Sequence, residues 1–177
     1  DNLIGERNIA SSVVSADIGN LKASLANLDE TSFESAVETI CRAKNIYIIG
    51  KRSSNMLADF INHYFRYIFD NVHLVSTNTT IDMFEEIFRI GADDVLIAIS
   101  YPRYSKRTKT AAEFAKRRGA TVIALTDSDI APITTFADIK LFAKSDMASF
   151  VDSLVAPLSI INALIVAIGR KKRLTLE

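Results

Sequence analysis

The sequence predicts an α/β fold, a three-layer α-β-α sandwich built on a five-stranded parallel sheet, and three observations point to it. Short β-branched strand patterns alternate with helical patterns five times along the chain, the order expected of a parallel sheet between helical layers. The most apolar strand pattern, residues 95–99, has little in-out alternation, as in a strand covered on both faces. Size and composition agree: 177 residues, 49% hydrophobic and 24% charged, suffice for one globular domain with a substantial core.

In chain order, Val14, Ile18, Leu21, Leu25 and Leu28 recur with gaps of four, three, four and three and so share one helical stripe. Residues 1–30 are expected to form a linker helix that packs locally and helps the chain dimerise; a simple docking helix is the alternative. Thr31 and Glu34 have the spacing of a capping box, opening a helix with Phe33, Val37, Ile40 and Cys41 inward and ending near Lys44. Residues 46–50 form the first strand. Its loop carries Lys51, Arg52, Ser53 and Ser54, and one of the two serines caps a helix with Leu57, Phe60, Ile61, Tyr64, Phe65 and Ile68 on a broad apolar face.

Residues 72–75 form a second strand, followed by a hydroxyl-rich loop over 76–80 and a helix through Phe84, Ile87 and Phe88 that stops at Gly91. The third strand, 94–99, runs into Ser100, Pro102, Arg103, Tyr104 and Ser105, then Lys106, Arg107 and Thr108. Ser105 is the predicted N-cap of a helix with Ala111, Ala112, Phe114 and Ala115 inward, ending at Gly119. A fourth strand over 121–125, a short helix begun by Pro132 and a fifth strand over 138–142 follow. Residues 146–169 are predicted helical, kinked or split at Pro157, and the basic run 170–173 is expected to be a solvated end that complements the helix dipole.

Several function classes are disfavoured by composition. Lys plus Arg and Asp plus Glu both total 21, so no net charge draws the chain to nucleic acid or anionic lipid. The single cysteine, Cys41, has no partner for an internal disulfide, which suits a reducing cytoplasm. The longest apolar run, 154–168, is interrupted by Pro157, Ser159 and Asn162 and is shorter than the roughly 20 residues a membrane span needs; it is expected to be a buried helix, with no membrane partner. No signal peptide is expected, and a start at Asp1 rather than Met suggests a further N-terminal portion. His63 and His73 are expected to be structural. Two distant histidines and one cysteine do not make a zinc site, and no serine has the setting of a nucleophile elbow.

What remains is the pair of hydroxyl- and cation-bearing loops after strands one and three. Each precedes a helix N-terminus, whose free N–H groups and dipole attract an anion, most simply a phosphate. Strand C-termini line one edge of a parallel sheet, so the two loops can converge on one ligand, with 76–80 as a third wall. The alternative is ordinary capping hydroxyls and solvated cations.

The order of elements, these two loops and the run 119–128 resemble a SIS domain, the flavodoxin-like sugar isomerase fold that binds phosphosugars. Residues 99–108, with the helix before them, are more narrowly similar to the effector domain of RpiR-type bacterial transcription regulators. The resemblance implies a SIS domain over 31–177. The family's Gly-x-Gly-x-Ser loop falls on 50–54 with Arg52 in place of the second glycine. Its Ser-x-Ser-Gly-x-Thr signature falls on 100–105, with Pro102, Arg103 and Ser105 replacing the middle serine, the glycine and the threonine.

The ligand-binding residues so implied are Arg52, Ser53, Ser54, Ser100, Arg103, Tyr104, Ser105 and Thr108. The arginines either add a phosphate contact or fill the pocket. The implied function is to sense a phosphorylated sugar effector, without a cofactor or catalysis. The chain would act as a homodimer, with tetramers left open, and reach DNA only through a helix-turn-helix domain outside it. Two alternatives stand: an aldose–ketose isomerase, which needs a base that residues 147–168 offer only as Asp152, and a dimerisation module with a closed pocket.

Overall fold

The computed structural model describes residues 8–173. Helices α1 (Ile9–Ala26) and α2 (Glu30–Arg42) precede the alternation of β1 (Ile46–Gly50), α3 (Ser54–Phe65), β2 (Val72–Val75), α4 (Thr80–Ile87), β3 (Val95–Ile99), α5 (Lys106–Arg117) and β4 (Thr121–Thr126). A 3-10 turn (Pro132–Phe136), β5 (Ile139–Phe142) and α6 (Val155–Arg173) complete the described chain. The five strands form one parallel sheet in the order β2-β1-β3-β4-β5, as the sequence predicts.

Strand alternation divides the core into two layers. Ile46, Ile48, Ile97 and Ile99 face the side covered by α2, α3 and α6, whereas Tyr47, Ile49, Leu96 and Ala98 face α4 and α5. On the second side Ala111, Ala112 and Ala115 are fully buried, so α5 lies close to the sheet.

The strand order also fixes the site. After β1 the chain moves outward to β2, then returns across β1 to place β3 on its other flank. The carboxyl ends of β1 and β3 are therefore neighbours from which the chain departs in opposite senses, the crevice position of open parallel sheets. Gly50 is required there: a Cβ on it would stand 2.3 Å from the Ser54 carbonyl oxygen, so only glycine lets α3 begin this close to β1.

Several local expectations are corrected. Helix α2 is capped by Asp29, whose carboxylate accepts from the Thr31 and Ser32 N–H groups, so the Thr31 box is not the cap. Residues 146–154 are irregular, and α6 is unbroken because Pro157 lies in its first turn, where its missing N–H costs no intrahelical bond. The basic end of α6 is not merely solvated: Lys171 pairs with Glu38, and Lys172 donates to the Cys41 carbonyl at 3.2 Å and lies over the Phe69 ring. His63 is exposed beside Tyr64 and Tyr67, and His73 stacks on Tyr47.

Helix α1 packs locally, but through only part of the apolar stripe: Leu21 and Leu28 are half-buried. Its buried residues are Asn20 and Ser24, while Val14, Ile18 and Leu25 are 56%, 45% and 74% exposed. No described helix is long and apolar enough to cross a membrane.

Candidate functional site

The loops after β1 and β3 meet, and a cavity of about 220 Å³ opens between them. It is lined by Lys51, Arg52, Ser53 and Ser54 from one side, Ser100, Tyr101, Pro102, Arg103 and Ser105 from the other, and Asp152 from the segment before α6. Six of the eight residues singled out in the sequence are brought together here: Arg52, Ser53, Ser54, Ser100, Arg103 and Ser105. Tyr104 and Thr108 are not among the lining residues. The Tyr104 hydroxyl instead donates to Asp127 at 2.8 Å, and burial followed by that bond pushes it up to about 12. Thr108 is fully buried one turn into α5.

The 76–80 loop does not wall the cavity. Thr79 accepts from the Asp82 N–H as the cap of α4, while the Ser76 and Thr77 N–H groups donate to Glu86. The Lys51 ammonium donates to the Val75 and Thr77 carbonyls, and desolvation lowers its pKa despite the opposing field of Glu86.

Both helix starts have the expected form, with one difference. Ser105 caps α5 by accepting from the Thr108 N–H at 3.3 Å. Ser53 occupies the cap position of α3 without capping it; its hydroxyl interacts with the Asp152 carboxylate instead. The Ser100 hydroxyl, only 2% exposed on the cavity wall, has no hydrogen-bond partner among the described residues, and nor does Thr108 Oγ1. A buried hydroxyl left this way costs free energy that a ligand oxygen can recover.

The two arginines stand where the family pattern has glycine, and their backbones explain the glycine: Arg52 has φ 57° and Arg103 φ 74°, the left-handed region. Their guanidinium groups leave the cavity open. Arg52 Nη1 donates to the Arg103 carbonyl at 2.9 Å, and Arg103 Nη2 pairs with Asp152 Oδ1 at 2.8 Å. Ser53 first, and then Arg103, hold the Asp152 carboxyl below the ordinary aspartate range against its partial burial. Arg52 and Arg103 outnumber the one lining carboxylate, with Lys51 beside them though its ammonium is turned to the Val75 and Thr77 carbonyls, so the lining favours an anion.

Lys51, Tyr101 and Asp152 were not assigned to the site from the sequence. Asp152 carried a signal as the single acid of residues 147–168, but its arrival between Ser53 and Arg103 depends on an irregular segment that has no periodicity to read.

Fold and cavity together define an α/β domain with a cation-bearing cavity at the carboxyl edge of its sheet. The chain belongs to the SIS domain family, whose model matches residues 39–167. An uncharacterized HTH-type transcriptional regulator of Caldanaerobacter subterraneus is 28% identical over 156 residues, 86% of this chain and 55% of that protein. The chain spans about half the length of the curated regulators it matches. The sugar isomerase domain of an RpiR transcription factor from Sphaerobacter thermophilus superposes with a TM-score of 0.87 at 27% identity, covering 94% of this chain and 93% of that one.

The Vibrio vulnificus NanR protein complexed with ManNAc-6P has a TM-score of 0.81 at 18% identity, over 94% of this chain and 64% of that one. A phosphoheptose isomerase from Francisella tularensis has a TM-score of 0.79 at 16% identity, over 94% and 100%. At those identities the likeness is one of fold, which sensors and isomerases share.

Proposed function

We propose that the chain is the sensing domain of a bacterial transcriptional regulator and binds a phosphorylated sugar in the cavity between the starts of α3 and α5. The observation that carries this reading is the unpartnered Ser100 hydroxyl on the wall of a cation-rich cavity at two helix N-termini. The cavity is smaller than the roughly 300–1,000 Å³ typical of drug-sized ligands, so its occupant is small. The phosphate would meet the Ser53, Ser54, Ser100 and Ser105 hydroxyls and the Arg103 guanidinium, with Arg52 at the rim. The NanR complex with ManNAc-6P supports this ligand class by analogy of fold.

The same lining favours sensing over isomerisation. Asp152 is the one carboxylate among the lining residues, and Ser53 and Arg103 already stabilise its charged form. A base that takes a proton from beside a carbonyl works best with a pKa near the operating pH, and this carboxylate is held well away from it.

The regulator relatives support a DNA-reading helix-turn-helix domain on the N-terminal side of α1, and the exposed stripe of Val14, Ile18 and Leu25 supports a homodimer formed through α1. Isothermal titration calorimetry with phosphorylated hexoses, pentoses and amino sugars tests the ligand. Saturable binding to the parent chain, weakened in Ser100→Ala, is the expected result; turnover of any of these sugars would return the protein to the isomerases. Light scattering on the same samples tests the dimer.

A further inference from the structure

The segment 144–153 has two attachments that lie at opposite ends of the signalling path just proposed. At one end Asp152 sits in the cavity, paired with Arg103 and in contact with Ser53. At the other, the same segment holds nearly every polar group that docks α1. Ser153 Oγ donates to Asp17 Oδ1 at 2.6 Å, Asn20 Nδ2 donates to the Asp146 carbonyl at 3.0 Å, the Asp146 N–H donates to Asn20 Oδ1 at 3.3 Å, and the Lys144 N–H donates to Ser24 Oγ at 2.8 Å. Asp152 and Ser153 are adjacent residues, so the cavity contact and the first α1 contact share one peptide unit.

The docking of α1 is of a kind that can be undone. Its two fully buried residues are polar, and of its large apolar residues Ile9, Val14, Ile18 and Leu25 are exposed while Val13 and Leu21 are half-buried. Hydrogen bonds that exchange for water contribute on the order of 1 kcal/mol each, far less than a helix gains by burying an apolar face. An anion in the cavity, in turn, needs the donors Asp152 now holds, and brings a like charge beside it.

We propose that residues 144–153 couple the cavity to α1: an anion that takes Arg103 and Ser53 displaces the Asp152 carboxylate, and the shift, passed to the next residue, breaks the Ser153–Asp17 bond and loosens α1. Asp152 thus acts as a built-in occupant of the anion site, and the docked α1 belongs to the unliganded arrangement. The coupling rests on the cavity's being the anion site, and linkage makes it reciprocal: whatever weakens α1 docking strengthens anion binding.

The test combines calorimetry with hydrogen–deuterium exchange of the full chain, using inorganic phosphate and glucose 6-phosphate as probes. Saturating probe should speed exchange across Ile9–Ala26 at least roughly fivefold, the lower end of ordinary couplings, while Val95–Ile99 in the core stays protected. Asp152→Asn should do the same with no probe present. Ser153→Ala, which removes the α1 contact without touching the cavity lining, should tighten probe binding by a similar factor. Probe binding with unchanged α1 exchange overturns the coupling and leaves the site standing, as does an Asp152→Asn chain with parental α1 exchange or a Ser153→Ala chain with parental affinity. Absence of binding by both probes to parent and Asp152→Asn alike overturns the site, and the ligand-driven coupling with it.

Discussion

Arg52 and Arg103 stand 51 positions apart in sequence, yet the guanidinium of the first donates to the backbone carbonyl of the second at 2.9 Å, and both residues have left-handed backbones. The two loops are thus joined at the very points where each is conformationally most costly. A non-glycine residue in this region costs about 1–2 kcal/mol, so retaining two arginines there implies that their side chains do something glycine cannot.

Arg52→Gly separates the two contributions. The variant sheds the left-handed cost but gains about 0.5–1 kcal/mol of chain entropy to lose on folding, and it loses one exposed hydrogen bond. Stability in urea should stay within about 1 kcal/mol of the parent, while phosphate affinity falls. A large drop in the denaturation midpoint would assign Arg52 a structural role.

Ser100→Ala should move stability and binding in opposite directions. Removing a buried hydroxyl with no partner relieves a desolvation cost of about 1–3 kcal/mol, so the unliganded chain becomes more stable. The same change removes a donor from the anion, and calorimetry should show weaker binding. Loss of stability in the variant would mean that the hydroxyl is already satisfied.

Tyr104→Phe distinguishes the cavity from its surroundings. The phenol donates to Asp127 and does not line the cavity. The variant should lose about 1.5 kcal/mol, as expected for a hydrogen bond to a charged group, and bind phosphate as the parent does. Weakened binding at unchanged stability would return Tyr104 to the site.

Gly50→Ala should be the most damaging single change in the two loops. Its methyl group would lie 2.3 Å from a backbone oxygen at the start of α3, where no side-chain rotation relieves it. A loss of about 1–3 kcal/mol, as for other overpacked sites, should appear in denaturant unfolding.

The Asp152 carboxylate, held charged first by Ser53 and then by Arg103, gives stability a defined acid limb. The Asp152 pKa is lowered in the folded chain, from an ordinary value of 3.8. The contribution is therefore fully present above that value and is lost as pH falls through the lower, folded one. Asp152→Asn should flatten the unfolding profile below about pH 4 and leave its shape between pH 6 and 8 unchanged.

Much of the fold and half of the site's logic are legible in the sequence, and the division is physical. The strands and the loops after β1 and β3 are readable because apolar periodicity marks buried strands, and hydroxyls before helices mark caps. The left-handed backbones of Arg52 and Arg103 were not read from the sequence, although the family's glycines at those two positions carried the signal. Two features are not readable this way. Apolar periodicity put a stripe at Val14, Ile18, Leu21, Leu25 and Leu28, of which only Leu21 and Leu28 are half-buried, and the helix is also held by Asn20 and Ser24, whose hydrogen bonds leave no repeating pattern. Asp152 reaches Ser53 through an irregular segment, and Pro157 is harmless only because α6 begins two residues before it.

The polar footing of α1 has a thermal consequence. Heat-capacity change on separating two surfaces comes chiefly from apolar area newly wetted, to which the hydrogen bonds of Asp17, Asn20 and Ser24 add nothing. Contacts of oily surface weaken on cooling; the hydrogen bonds that tie α1 to residues 144–153 do not share that dependence, so cooling should not by itself loosen this part of the docking.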